Sequence, residues 1–123
     1  MNVGRVREVS KILLGSSYRL EVAVAVARAE PGVVHLRGLA SQLDLVDSLV
    51  RVELGHFERA GLLMRLPKPR GQQQQDYERL PSAFWDLSRA LLAEVRAASA
   101  SPSRQADKAA QAATGQPTDQ VST

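Results

Sequence analysis

Residues 39–63 read LASQLDLVDSLVRVELGHFERAGLL, and the spacing of their apolar positions decides the fold. With Leu36 just upstream, Leu39, Ala40 and Leu43 fall at i, i+3, i+4 and i+7, the stripe of a two-turn amphipathic helix. Asp44 and Leu45 follow as a turn. Asp47 or Ser48 is placed to cap a longer helix running to about Ala60, with Val50, Leu54 and Phe57 as its buried stripe. Gly61 stands where a helix C-terminus favours glycine. A short helix, a tight turn and a second helix make a helix-turn-helix unit.

Downstream, Leu62 to Leu66 reads as a strand, Pro67 to Gln75 as a polar hairpin tip, and Asp76 to Leu80 as the returning strand. Pro81 lies near the first position of a last helix reaching roughly Ala98, where proline is tolerated. Upstream, residues 3–14 carry Val6, Val9 and Leu13 on one helical stripe, and Gly15 breaks the chain before Ser16 or Ser17 restarts it as an N-cap. Residues 18–30, YRLEVAVAVARAE, alternate valine with alanine, which mimics a strand. The positions between the valines are not polar, however, and Tyr18, Val22, Ala25, Val26 and Ala29 form a helical stripe that Pro31-Gly32 terminates. Gly32 to His35 is an extended link or a minimal strand. These elements define a mainly α winged helix-turn-helix: about five helices and a two-stranded β-wing.

Composition changes near residue 100. Residues 101–123 hold no aromatic and Val121 as their only large aliphatic, so the reading is a domain over 1–100 and a disordered tail over 101–123. The tail's Arg104 and Lys108 cancel Asp107 and Asp119, leaving the whole net +3 on the domain. The chain has no cysteine, which excludes disulfides, a thiol nucleophile and thiolate metal sites. No apolar run approaches the ~18 residues of a membrane span, and no signal segment opens the chain, so a cytoplasmic protein without a membrane partner is expected. His35 and His56 stand in different elements without a companion at ligand spacing. Neither a catalytic triad nor a glycine-rich phosphate loop is present, which argues against an enzyme and for no cofactor. Five scattered aromatics are too few for a single-strand stacking platform.

The stretch 39–63 resembles, without a gap, the DNA-binding core of ArsR-type repressors: Leu39-Ala40, Leu43-Asp44-Leu45, Ser48, Val50, Leu54 and Ala60-Gly61-Leu62 match. Leu14 to Leu20 resembles that family's entry into its second helix, Tyr77 and Leu80 its returning wing strand, and Arg65 to Pro69 is similar to a MarR-type wing. The resemblance, to the ArsR/MarR-like superfamily over about residues 12–97, implies a winged-helix regulator of transcription. By resemblance the outward face of the second helix carries Asp47, Ser48, Leu49, Arg51, Val52 and His56. Ser48 and Arg51 suit phosphate or base-edge contact, while Leu49 and Val52 suit thymine methyl groups. Glu53 opposes phosphate unless it accepts from a cytosine amine. Gly55 is costly inside a helix, and the reading is close packing against the preceding short helix, the alternative being close approach to a phosphate.

The wing supplies charge. Arg59, Arg65, Lys68 and Arg70 place four cations between residues 59 and 70 with no acid after Arg59, and Gln72 and Gln73 add neutral donors at the tip. In the last helix Phe84, Leu87, Leu91, Val95 and Ala98 form one stripe, and Trp85 and Leu92 a second, wider than one domain needs, the alternative being one broad core-facing stripe. That width points to a homodimer using Val6, Val9, Leu13, Trp85, Leu91, Leu92 and Val95, with the recognition helices meeting a near-palindromic operator in double-stranded DNA. The reading is a homodimeric DNA-binding regulator, a repressor; its alternative is a winged-helix module for protein association. No residue identifies a small-molecule effector.

Overall fold

Twelve residues of helix, Val3–Leu14 (α1), end where Gly15 turns the chain at φ 85°. The computed structural model describes residues 3–68, 70–71 and 74–100, with the side chains of 99 and 100 excepted. After α1 come α2 (Arg19–Arg28), β1 (Val33–His35), α3 (Leu36–Leu43), α4 (Asp47–Arg59), β2 (Leu63–Arg65), β3 (Asp76–Arg79) and α5 (Ala83–Ala100). The tail expected beyond residue 100 lies outside the described residues.

The valine–alanine repeat is a helix, and its composition explains its place. Every residue from Val22 to Ala27, with Leu20, is buried. A helix apolar on all sides needs walls on all sides. Around α2, Val6, Leu20, Val24, Leu92 and Val95 form one apolar cluster with α1 and α5. Val22, Val26, Leu39, Val50, Leu54, Phe57, Leu63, Tyr77 and Trp85 belong to the other, under the helix-turn-helix and the sheet.

The sheet has three strands, ordered β1-β3-β2 and antiparallel throughout, so the short link before α3 is a strand in its own right. Val34 stands opposite Tyr77, and Tyr77 opposite Arg65. Arg79 fastens this sheet to the central helix: its Nη1 donates to the carbonyls of Val26, Ala27 and Ala29 at 2.8, 2.8 and 2.9 Å. Carbonyls at the end of a helix lack intrahelical partners and are well satisfied by a cation, and the Val26 carbonyl also accepts the Ala29 N–H at 3.2 Å.

Between α3 and α4 the turn falls as expected. Asp44 adopts the left-handed conformation (φ 57°, ψ 45°), and the Leu45 N–H closes on the Ala40 carbonyl at 2.9 Å. The expected cap is corrected. Val46 is the N-cap of α4 and no side chain bonds there; Asp47 lies in the first turn, where its charge favours the helix dipole, 3.7 Å from Arg37. Gly61 follows α4 at φ 80°, and the Leu62 N–H reaches the Phe57 carbonyl at 2.8 Å. At the other end of the wing, α5 begins two residues after Pro81, with the Phe84 N–H donating to Ser82 Oγ at 3.1 Å.

The stripe assigned to α5 is rotated. Its buried residues are Trp85, Ser88, Leu92 and Val95, while Leu87 and Ala98 are exposed. Trp85 packs edge-on against Phe57 and Phe84, with centroids 5.7 and 5.4 Å away, and donates Nε1–H to the Leu80 carbonyl at 2.7 Å. Val6, Trp85, Leu92 and Val95, read as a partner-facing surface, are therefore part of the chain's own core, because α2 demands them. Val9 and Leu91 are half-buried against the same cluster. Of the seven residues read as an interface, Leu13 alone is exposed, at 61%. Ile12 and Leu87, at 70% and 63%, are exposed apolar residues on the same two helices.

Candidate nucleic-acid interface

Helix α4 divides by phase. Val50, Glu53, Leu54 and Phe57 face inward, and Ser48, Arg51, Val52, His56 and Arg59 are exposed, with Leu49 and Asp47 at the margin. Ser48, Arg51 and Val52 thus stand on the surface that the sequence assigned them. Glu53 does not: it is 4% exposed. Its Oε1 accepts from Arg19 Nε at 2.8 Å, its Oε2 from Ser16 Oγ at 2.5 Å, and Arg19 Nη1 also reaches the Leu14 carbonyl. Behind them Ser10 Oγ donates to the Ser16 carbonyl and accepts the Leu20 N–H at 2.9 Å. A carboxylate read as facing phosphate is instead a brace between α4 and the α1–α2 turn. Its position on the Val50–Phe57 stripe was the signal for this.

The wing is held by its own glutamines. Gln75 Nε2 donates to the carbonyls of Leu66 and Asp76, both at 2.9 Å, and the Leu66 N–H meets the Asp76 carbonyl at 2.9 Å. Gln74 Nε2 approaches Asp76 Oδ1 at 3.4 Å. Gln72 and Gln73 lie outside the described residues. Lys68 and Arg70 are exposed, but Arg65 is spoken for in part: its Nη2 meets Glu58 Oε1 at 3.0 Å, and its guanidinium lies 5.8 Å from the Tyr77 ring centre. Glu58 precedes Arg59, so counting acids only after that residue overstated the local charge.

Helices α3 and α4 and the wing meet at an open cleft of about 260 Å³. Four cations line it, Arg37, Arg51, Arg65 and Lys68, against one carboxylate, Asp47. Arg51 of α4 is thereby joined to two wing cations from 14 and 17 residues further along the chain. Arg70 is outside that lining. Arg37 was not singled out from the sequence. It is exposed at the start of α3, off the Leu36–Leu39–Ala40 stripe, where the first helix of such a unit crosses a nucleic-acid backbone. Among the described residues no group of three or more metal-capable side chains occurs, and no helix is long and apolar enough to cross a membrane.

No protein-family model matches the chain, and no curated protein sequence does. Solved structures do. The chain is similar to AbsC, a MarR family transcriptional regulator from Streptomyces coelicolor, at 14% identity and a TM-score of 0.57, over 77% of this chain and 64% of that one. It therefore spans less than two thirds of AbsC. It is also similar to RV1404 from Mycobacterium tuberculosis, at 19% identity and a TM-score of 0.55, over 94% and 86% of the two chains. A third is NadR in complex with 4-hydroxyphenylacetate, at 17% identity and a TM-score of 0.53, over 90% and 80%. Five helices, a three-stranded antiparallel sheet and these likenesses agree: the chain has a winged helix-turn-helix fold, shared with AbsC, a MarR family transcriptional regulator.

Proposed function

We propose that this protein is a cytoplasmic regulator of transcription that binds double-stranded DNA as a homodimer and acts as a repressor. The observation that carries the reading is the cleft in which Arg37, Arg51, Arg65 and Lys68 converge beside the exposed face of α4. A groove with that balance of charge suits a phosphate backbone, while Ser48, Arg51 and Val52 face the bases. Repression is the simpler output, because occupancy of an operator suffices for it. A dimer places two such faces on half-sites about one turn apart, hence a near-palindromic operator. Val3, Ile12, Leu13 and Leu87, exposed on α1 and α5, are the large apolar residues of those helices left for the partner.

A second cavity, about 560 Å³, opens between α1, α2, α5 and the α3–α4 turn, with Arg7, Glu21, Arg28 and Asp44 in its wall. NadR holds 4-hydroxyphenylacetate, and a small acid of that class is the effector we assign to this chain for testing. The decisive experiment is a gel-shift titration against duplex DNA, including the region upstream of the protein's own gene, over a salt series. Binding that weakens steeply with salt supports the regulator. Absence of any salt-sensitive duplex binding rejects it in favour of a protein-association module, for which exposed Val46, Val52 and Met64 would supply the apolar surface.

A further inference from the structure

Gly55 stands inside α4 with four helical residues still to follow. Glycine is the poorest helix former after proline, so an interior glycine needs a reason. Packing against α3 does not provide one. A Cβ placed on Gly55 would meet only Arg59 Nη1, at 3.5 Å, an ordinary contact with the flexible end of a long side chain. Nothing from α3 comes within 4 Å of that point. Nor does the backbone require it, since Gly55 is not among the residues of positive φ. The chain's own interior offers no account of this glycine.

Its place on the helix surface does. Arg51 and Val52 precede Gly55 by four and three residues, Arg59 follows by four, and Ser48 lies two turns earlier, all exposed and on one face. Gly55, half-buried beneath the Arg59 side chain, is the floor of that face, the point at which no side chain of its own covers the helix backbone. A helix with its side chains is about 10–12 Å across, and the major groove of B-DNA about 12 Å wide, so depth of entry depends on what projects from the leading side. The leading side carries the short side chains Ser48 and Val52, which reach base edges only from a deeply seated helix. Arg59, whose guanidinium lies over Gly55 and bonds His56 Nδ1 at 3.0 Å, is exposed and long enough to swing aside.

We infer that Gly55 is a specificity-determining residue: its missing side chain lets α4 sit deep enough in the major groove for Ser48 and Val52 to touch the bases. This rests on the DNA-binding reading above and adds to it the position that sets docking depth. The test is Gly55→Ala in the full chain. A duplex is first enriched from a random-sequence pool by the wild-type protein, and both proteins are then titrated with that duplex and with mixed-sequence genomic duplex. Thermal unfolding is followed in parallel. The substitution raises the melting temperature by roughly 4 °C, as expected when a mid-helix glycine gains a methyl group that has room. Affinity for the enriched duplex falls about tenfold, the scale of an overpacked contact. Binding to mixed-sequence duplex, held by phosphates, stays within about twofold.

A lowered melting temperature overturns the inference, since it would show an internal reason for the glycine. An unchanged ratio of enriched to mixed-sequence affinity also overturns it, and so does an equal loss on both duplexes, while the DNA-binding reading stands in either case. If the wild-type chain binds duplex but enriches no sequence, the inference falls alone. If it binds no duplex at all, the reading and the inference fall together.

Discussion

Removing the Glu53 carboxylate leaves the Arg19 guanidinium, three-quarters covered, without its partner charge and leaves Ser16 Oγ without an acceptor. Breaking one side of such a pair is costly, so Glu53→Ala is expected to lower stability by about 3 kcal/mol in urea denaturation. Adding Arg19→Ala to it should cost less than the sum of the two single changes, and strictly additive losses would show that the pair is not coupled. Glu53 was legible as an inward residue, because its phase matches Val50 and Phe57. Its partner was not, since Arg19 is 34 residues away and nothing in a helical period encodes that meeting. Arg37 eluded the sequence for a similar reason: an exposed arginine on a short helix gains meaning only from the cations beside it.

At the scale of elements, the proposed reading divides the labour of binding between the wing and α4. Lys68 and Arg70 are exposed cations on the hairpin, so Lys68→Ala with Arg70→Ala should weaken every duplex alike and flatten the salt slope by roughly one unit for each. Arg51→Ala should instead shift sequence preference, measured by selection from a random pool. Arg65 offers an opposite sign. It bonds Glu58 at 3.0 Å, a half-exposed pair of little consequence for folding, so Glu58→Gln should free it and strengthen duplex binding by about twofold to fivefold at low salt. No gain would mean that Arg65 does not reach the backbone. The hairpin's existence was readable from Pro67, Gly71 and the run of glutamines. That Gln74 and Gln75 brace its base depends on how the hairpin closes, and that β1 joins it as a third strand depends on pairing across some forty residues.

Across the whole molecule the central helix sets the terms. Because α2 is apolar on every side from Val22 to Ala27, it takes Val6, Leu92 and Val95 as lining, and the aromatic trio of Phe57, Phe84 and Trp85 closes the adjoining core. The proposed homodimer would then form through what remains outside. Leu13→Glu with Leu87→Glu is expected to weaken self-association about a hundredfold, seen in sedimentation as a shift to monomer, with helix content unchanged. Val95→Ala should instead cost about 1 to 3 kcal/mol of fold stability. A dimer that survives the paired glutamates would place the interface elsewhere. The order of helices, the turn at Asp44, the Gly61 stop and the basic hairpin were all determined by the sequence alone, because periodicity and turn chemistry are local and act through near neighbours. Which apolar stripe is core, which charge is buried, and which four cations share one cleft were decided only by the tertiary structure. Those outcomes depend on distance in space, and a linear pattern shows how a segment is built without showing what it will face.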